Sequence, residues 1–379
     1  MKGNGPLKKN KRSIAATISA GLFSLALGSC DLFPIGPEPT STPTPDPTPL
    51  PTAYPQYSGP KMKIAFIEYG YNEPAESAYD IWKVNSDGTE LEKIYEKDLG
   101  NNLLKVSPDG KNLAFIDDSD IYNPMNYIID FDGNLITKFE GDTGLGQGFS
   151  WTPDSKAILD GIYYKGIYRD DLETKTSTQV YRSWPSTYDH NPEMSPNLEK
   201  IIFVHHEYER NYQVRIMDSN GKNAETITGG REEWRDRPFS FSWINNEEVL
   251  IETYLPKKLM YYNTNTKECK EIISAKNFVN IKLSPDKKII GGDTQTNFCA
   301  MDVEKFLKGD TNPIYTTERA YNYSWSPDSN YVITATFGSK NLELLKAIDK
   351  QGNQYTILKK ENFPESGYIN TITCSPDLQ

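Results

Sequence analysis

The tripeptide Ser-Pro-Asp, or a close variant of it, returns about every forty residues along most of this chain. The copies are Ser107-Pro108-Asp109-Gly110, Thr152-Pro153-Asp154-Ser155, Ser195-Pro196-Asn197-Leu198, Ser284-Pro285-Asp286-Lys287, Ser326-Pro327-Asp328-Ser329 and Ser375-Pro376-Asp377-Leu378. A degenerate copy, Trp243-Ile244-Asn245-Asn246, stands where the period requires one. Self-similarity at this period belongs to repeat architectures, in which each repeat buries its apolar face only against its neighbours.

Each copy has the chemistry of a type I turn. Ser suits the first position, Pro presets φ at the second, Asp tolerates the third, and Gly takes the left-handed position that follows. A large or apolar residue stands two before most of the prolines: Val106, Trp151, Met194, Leu283, Trp325 and Cys374, with Trp243 in the degenerate copy. A short β-rich run follows each turn, such as Asn112–Ile116, Lys200–Val204 or Tyr331–Thr336. A second turn opens at Asn85, Asp130, Asp171, Asp218, Asn263, Asp302 and Asp349, and three of its copies end in Asp-Gly or Asn-Gly, a strong hairpin signal. Four antiparallel strands per repeat make one propeller blade. The first repeat, at Lys61–Ile67, enters in its second strand, and the last, Ile369–Ser375, supplies only a first strand. The expected fold is therefore all-β: a seven-bladed β-propeller of four-stranded antiparallel blades over 62–379. The C-terminal strand completes the N-terminal blade and leaves no free radial edge.

Trp325-Ser326-Pro327-Asp328-Ser329, the apolar strand after it, and Asp349 to Gly352 resemble the Pro-Asp repeats (PD40) of TolB-like and WD40-like β-propellers. The resemblance spans nearly all of 62–379 and implies fold rather than activity. Prolyl oligopeptidase relatives add an α/β-hydrolase domain to such a propeller, but no Gly-x-Ser-x-Gly elbow occurs in this sequence.

The N-terminal segment speaks to compartment. Lys8, Lys9, Lys11 and Arg12 precede a short apolar stretch, Ser13–Gly28, as in a signal peptide over 1–29. It ends in Leu27-Gly28-Ser29-Cys30, which resembles a bacterial lipobox. That resemblance implies cleavage before Cys30, lipidation of its thiol and an extracytoplasmic place in the bacterial cell envelope. Asp31, directly after that Cys, resembles the inner-membrane retention signal of enterobacteria-like lipoprotein sorting. Residues 30–61 hold a Pro/Thr-rich run that cannot pack a core. At about 3.1 Å per residue they form a semi-rigid stalk.

The chain carries 41 basic and 52 acidic residues. Residues 1–29 hold five basic and no acidic side chains, which leaves 36 against 52, a net charge of −16. This excess argues against nucleic acid and against charge-driven docking on anionic lipid. Three cysteines follow Cys30, an odd number; Cys374 is expected in the core, and Cys269 and Cys299 are a candidate pair. No Cys-x-x-Cys is present, and no cofactor or metal site is expected from it.

The Ser-Pro-Asp and Asp-x-x-Gly turns share one face of a propeller. The longer connections, among them Tyr69–Tyr79, Ser183–Pro192, His205–Tyr212 and Gly229–Phe239, share the other. Binding residues favour long connections on a rigid scaffold. The candidate ligand-binding residues there are Trp184, Tyr188 and His190 in an expected loop, His206 after the strand Ile201–Val204, and Arg231, Trp234, Arg235 and Arg237 at the next blade entry. Aromatic platforms beside charged groups suit a protein or a cell-envelope glycan as partner; the alternative is that the rings pack between blades. Asp189-His190-Asn191-Pro192-Glu193 and His205-His206-Glu207 also resemble part of oligogalacturonate lyase, a metal-dependent carbohydrate-active propeller. That family carries further ligand histidines in later blades, where this sequence has none.

Overall fold

The computed structural model describes residues 54–376 except 73–75, 97–102, 121–122, 142–147, 208–210, 229–237, 255–256, 274–277, 295, 319, 321, 336–342 and 364–367. Cys30, Arg231, Trp234, Arg235 and Arg237 therefore lie outside the described residues, as do most of 30–61 and Gly229–Phe239.

The described strands form seven four-stranded antiparallel sheets. Six run in chain order. The seventh is built from Met62–Asn72, Glu76–Asn85 and Glu92–Tyr95, with Tyr368–Pro376 as its inner strand. Met62 pairs with Pro376 and Ile64 with Cys374, so the last strand closes the ring in the expected register. Counting this closing blade as the first, the inner strands of the other six are Leu104–Val106, Ser150–Trp151, Thr187–Met194, Pro238–Trp243, Val279–Leu283 and Tyr323–Trp325.

Apolar side chains fall into seven clusters, one for each contact between neighbouring blades. The cluster of Ile64, Phe66, Ile333, Leu345 and Ile372 joins the last blade to the first. Cys374 is in that cluster, as expected, and burial pushes its thiol up to about 12.

The repeated turn does what its residues dictate. In the second blade Gly110 donates its N–H to the Ser107 carbonyl at 2.8 Å with φ of 78°. The Ser107 hydroxyl bonds Asp109 at 2.6 Å and accepts from the Asn112 N–H at 3.0 Å. Turns also bind each other: the Asp109 N–H donates to Ser155 Oγ, and the Asp286 N–H to Ser329 Oγ, each at 2.9 Å.

Four expectations change. Tyr69–Tyr79 is not an irregular loop, because the strands run on as a ribbon whose register extends to Asn72 opposite Glu76. The strand expected to stop at Val204 continues through His205 and His206 to Glu207, where it pairs with Asn211. The turn expected at Asp302 is replaced by a helix, Val303–Leu307, because Asp302 caps it by accepting the Lys305 N–H at 2.9 Å. Cys269 and Cys299 are both free thiols, the first exposed and the second buried. The chain also joins the domain before residue 62. Tyr57 is buried in the closing cluster, 5.1 Å from the Tyr331 ring, and Gln56 bridges Thr356 in parallel.

Candidate functional site

His190 is not in a loop. It lies in the inner strand Thr187–Met194 of the fourth blade and is 1% exposed. Asn191, in the left-handed region at φ 49°, creates the bulge that shifts the register between His190 and Glu193. Gly161 of the preceding blade makes room for this strand. A Cβ there would stand 2.4 Å from the Asp189 carbonyl oxygen and 2.8 Å from the His190 Cα.

Three of the expected residues do come together, through their rings. Tyr188 stacks on His190 at 5.3 Å and meets His206 edge-on at 4.6 Å. His206 in turn stacks on Tyr212 at 4.1 Å, nearly parallel. The run continues the other way into the third blade: Tyr163 lies 4.9 Å from Tyr188 and 4.0 Å from Tyr164. Tyr163 and Tyr164 sit in the hairpin turn between Ala157–Ile162 and Gly166–Asp171, and their hydroxyls are 3.0 Å apart.

Trp184 occupies the connection on the same face and is 68% exposed. Its carbonyl accepts from Thr187, and the Ser183 N–H holds the Lys165 carbonyl, which ties this connection to the tyrosine turn. Of the five large apolar side chains exposed among the described residues, three are Tyr163, Tyr164 and Trp184, so exposed aromatic surface concentrates here. Beneath it, Asp189 is buried and bonds His205 Nδ1 at 2.7 Å and Ser183 Oγ at 2.6 Å. This fixes the inner strand to its neighbours and takes His205 out of the candidate surface.

Tyr163 and Tyr164 escaped the sequence reading. The adjacent Tyr-Tyr at a short hairpin turn was the available signal. Among the described residues no three His, Cys, Asp or Glu side chains converge as metal ligands, so the lyase-like reading finds no ligand triad there.

The opposite, Ser-Pro-Asp face also holds something the sequence reading passed over. A cavity of about 660 Å³ opens at the ring centre, lined by Lys105, Glu193, Lys282 and Lys287. Burial and the Lys105 and Lys287 charges act in opposite senses on Glu193, and burial wins, pushing its carboxyl up to about 7. Burial, aided by the Lys105 charge, pulls the Lys282 amine down to about 8. Lys105 and Lys287 are also held below the usual amine range by burial. Lys282 and Lys287 keep exposed surface, so solvent screens part of these shifts.

No family model matches the chain. A protein of Agrobacterium fabrum strain C58, designated uncharacterized protein Atu1656, is 26% identical over 143 residues, which is 36% of this chain and 48% of that protein. The chain thus spans about half the length of this curated relative. Among solved structures it is similar to oligogalacturonate lyase in complex with manganese, with a TM-score of 0.55 and 12% identity over 81% of this chain and 86% of that one. It is similar also to the Cps50 (Swd1) β-propeller domain of Myceliophteria thermophila, with a TM-score of 0.52 and 13% identity over 72% and 89%. TolB from Acinetobacter baumannii aligns over 83% of this chain and 67% of its own, with 17% identity and a TM-score of 0.46. At such identities the two matches with TM-scores above 0.5 speak to the fold alone, and the seven four-stranded sheets make the chain a seven-bladed β-propeller.

Proposed function

We propose that this protein is an extracytoplasmic lipoprotein, anchored through Cys30, whose propeller binds a cell-envelope glycan on the aromatic face of its third and fourth blades. One observation carries the binding half: the ring run Tyr164, Tyr163, Tyr188, His206, Tyr212, with neighbouring centroids 4.0 to 4.9 Å apart and its first two members exposed. Tyr and Trp offer apolar faces with polar tips. Sugar rings present that same combination of C–H faces and hydroxyl edges. The lipid anchor rests on the residues before Cys30 and on the Pro/Thr-rich stretch after it, whose composition suits a spacer.

One experiment with two arms tests the reading. The full chain, purified in detergent, is applied to an array of bacterial envelope oligosaccharides, beside the variant Tyr163→Ala/Tyr164→Ala. Each lost ring is expected to cost about 0.5–1.5 kcal/mol, roughly threefold to tenfold in affinity, with unchanged melting. Binding of a purified envelope protein in place of any glycan, lost in the same variant, would keep the site and replace the ligand. In cells, Cys30→Ala moves the protein to the soluble fraction, and continued membrane association of that variant contradicts the anchor.

A further inference from the structure

The position three residues before each turn proline lines the central cavity in six blades. The second, fourth and sixth blades place Lys105, Glu193 and Lys282 there, and the third, seventh and first place Ser150, Ser324 and Thr373. Lys287 adds a further ammonium from the sixth blade's Ser-Pro-Asp turn.

Each charged member of the ring is held by the next blade. The Lys105 ammonium donates to the Phe149 carbonyl at 2.8 Å and lies 5.7 Å from that ring. Lys282 repeats the arrangement four blades on, donating to the Tyr323 carbonyl at 2.6 Å with the ring at 4.9 Å. The indoles of Trp151 and Trp325 bond the Lys105 and Lys282 carbonyls at 3.1 and 3.0 Å, which fixes the backbone beneath both lysines. Glu193 accepts from the Trp243 backbone N–H, again one blade onward. An ammonium has three donors, so one carbonyl contact positions each lysine without exhausting it.

We propose that this cavity binds a small organic anion, a carboxylate- or phosphate-bearing molecule whose negative charge meets Lys105, Lys282 and Lys287 and whose hydroxyl or amine donor meets Glu193. Three cations face one carboxylate here, in a chain whose net charge is −11. Like charges gathered in one cavity repel each other without a counter-ion, and the Lys105 charge already depresses the proton affinity of Lys282. An anion seated among them removes that penalty. The cavity volume lies within the range of roughly 300–1,000 Å³ usual for small-molecule sites. The next-blade contacts preorganise the donors, which lowers the ordering cost of binding.

Calorimetry on the full chain at low ionic strength tests this with citrate and inorganic phosphate, and with glucose as the neutral probe. At least one anion is expected to bind, to weaken as salt is added, and to lose about tenfold or more in affinity in Lys105→Met/Lys282→Met. Glu193→Gln removes the cavity's one carboxylate and is expected to tighten inorganic phosphate several-fold, an effect that a purely structural role would not produce. Binding of citrate alone assigns a carboxylate ligand, and binding of phosphate alone a phosphate ligand. No heat with either anion, equal binding of glucose, or unchanged affinity in the folded double lysine variant overturns the proposal.

Discussion

Lys282 shows how a single residue separates the building of this fold from its use. Burial and the neighbouring Lys105 lower its proton affinity to about 8, against smaller opposing pulls from Cys374 and Asp293. Below pH 8 both folded and unfolded chains carry the charge, and the folded chain bears a penalty that solvent screens in part, because Lys282 keeps exposed surface. Between pH 8 and 10.5 the unfolded chain binds more protons, so stability rises with pH across that window. Lys282→Met therefore raises the melting temperature near pH 7, by about 1–3 °C, and flattens the rise above pH 8. A melting temperature lowered at pH 7 would contradict the placement. A residue that costs stability is expected where function retains it. The sequence concealed this site because the position two residues before Ser-Pro differs from repeat to repeat, as loop and surface positions do. It becomes a ring only when the blades close. His190 was hidden for a related reason: Asn191-Pro192 reads as a break, whereas the inner strand absorbs it as a bulge.

Strands and turns were legible to different degrees. Ser-Pro-Asp and Asp-x-x-Gly chemistry is local, fixed by the side chain two residues away, so the turns stand where their residues put them. Strand length is not local. Gly70, Asn72 and Pro74 punctuate the first blade as a loop would, yet cross-strand pairing carries the ribbon to Asn72. The same holds at His205 and His206. Asp302 serves a helix cap as well as it would serve a turn, since both use its carboxylate to accept a nearby N–H. The closing strand was readable from the order of elements at the two ends, and its energetic weight follows from burial. Ile369 and Ile372 are 1% and 4% exposed, each worth roughly 1.5–3 kcal/mol, and the strand covers the edge of Met62–Tyr69. Deleting residues 368–379 is expected to abolish cooperative melting or to lower its midpoint by about 10 °C or more. Unchanged calorimetric melting would reject the closure.

Across the described residues, seven clusters between seven blades make a closed ring with two unlike faces. The tyrosine and tryptophan surface of the third and fourth blades occupies one face, and the lysine-lined cavity opens on the other. Repeats build such a ring, and departures from the repeat equip it: Tyr163-Tyr164 at one turn, Lys105, Glu193 and Lys282 at one ring position. Sequence reasoning favoured the aromatic face because its connections are the longer ones. It underrated the turn face because tight turns look inert. The central claim is that the aromatic face takes the envelope ligand. Hydrogen exchange of the full chain, with and without the oligosaccharide that binds it most tightly, measures this directly. Exchange is expected to slow in Ile162–Gly166, Ser183–His190 and His205–Tyr212, with the Ser-Pro-Asp turns unchanged. Protection confined to Ser107–Gly110 and Ser284–Lys287 would contradict the claim.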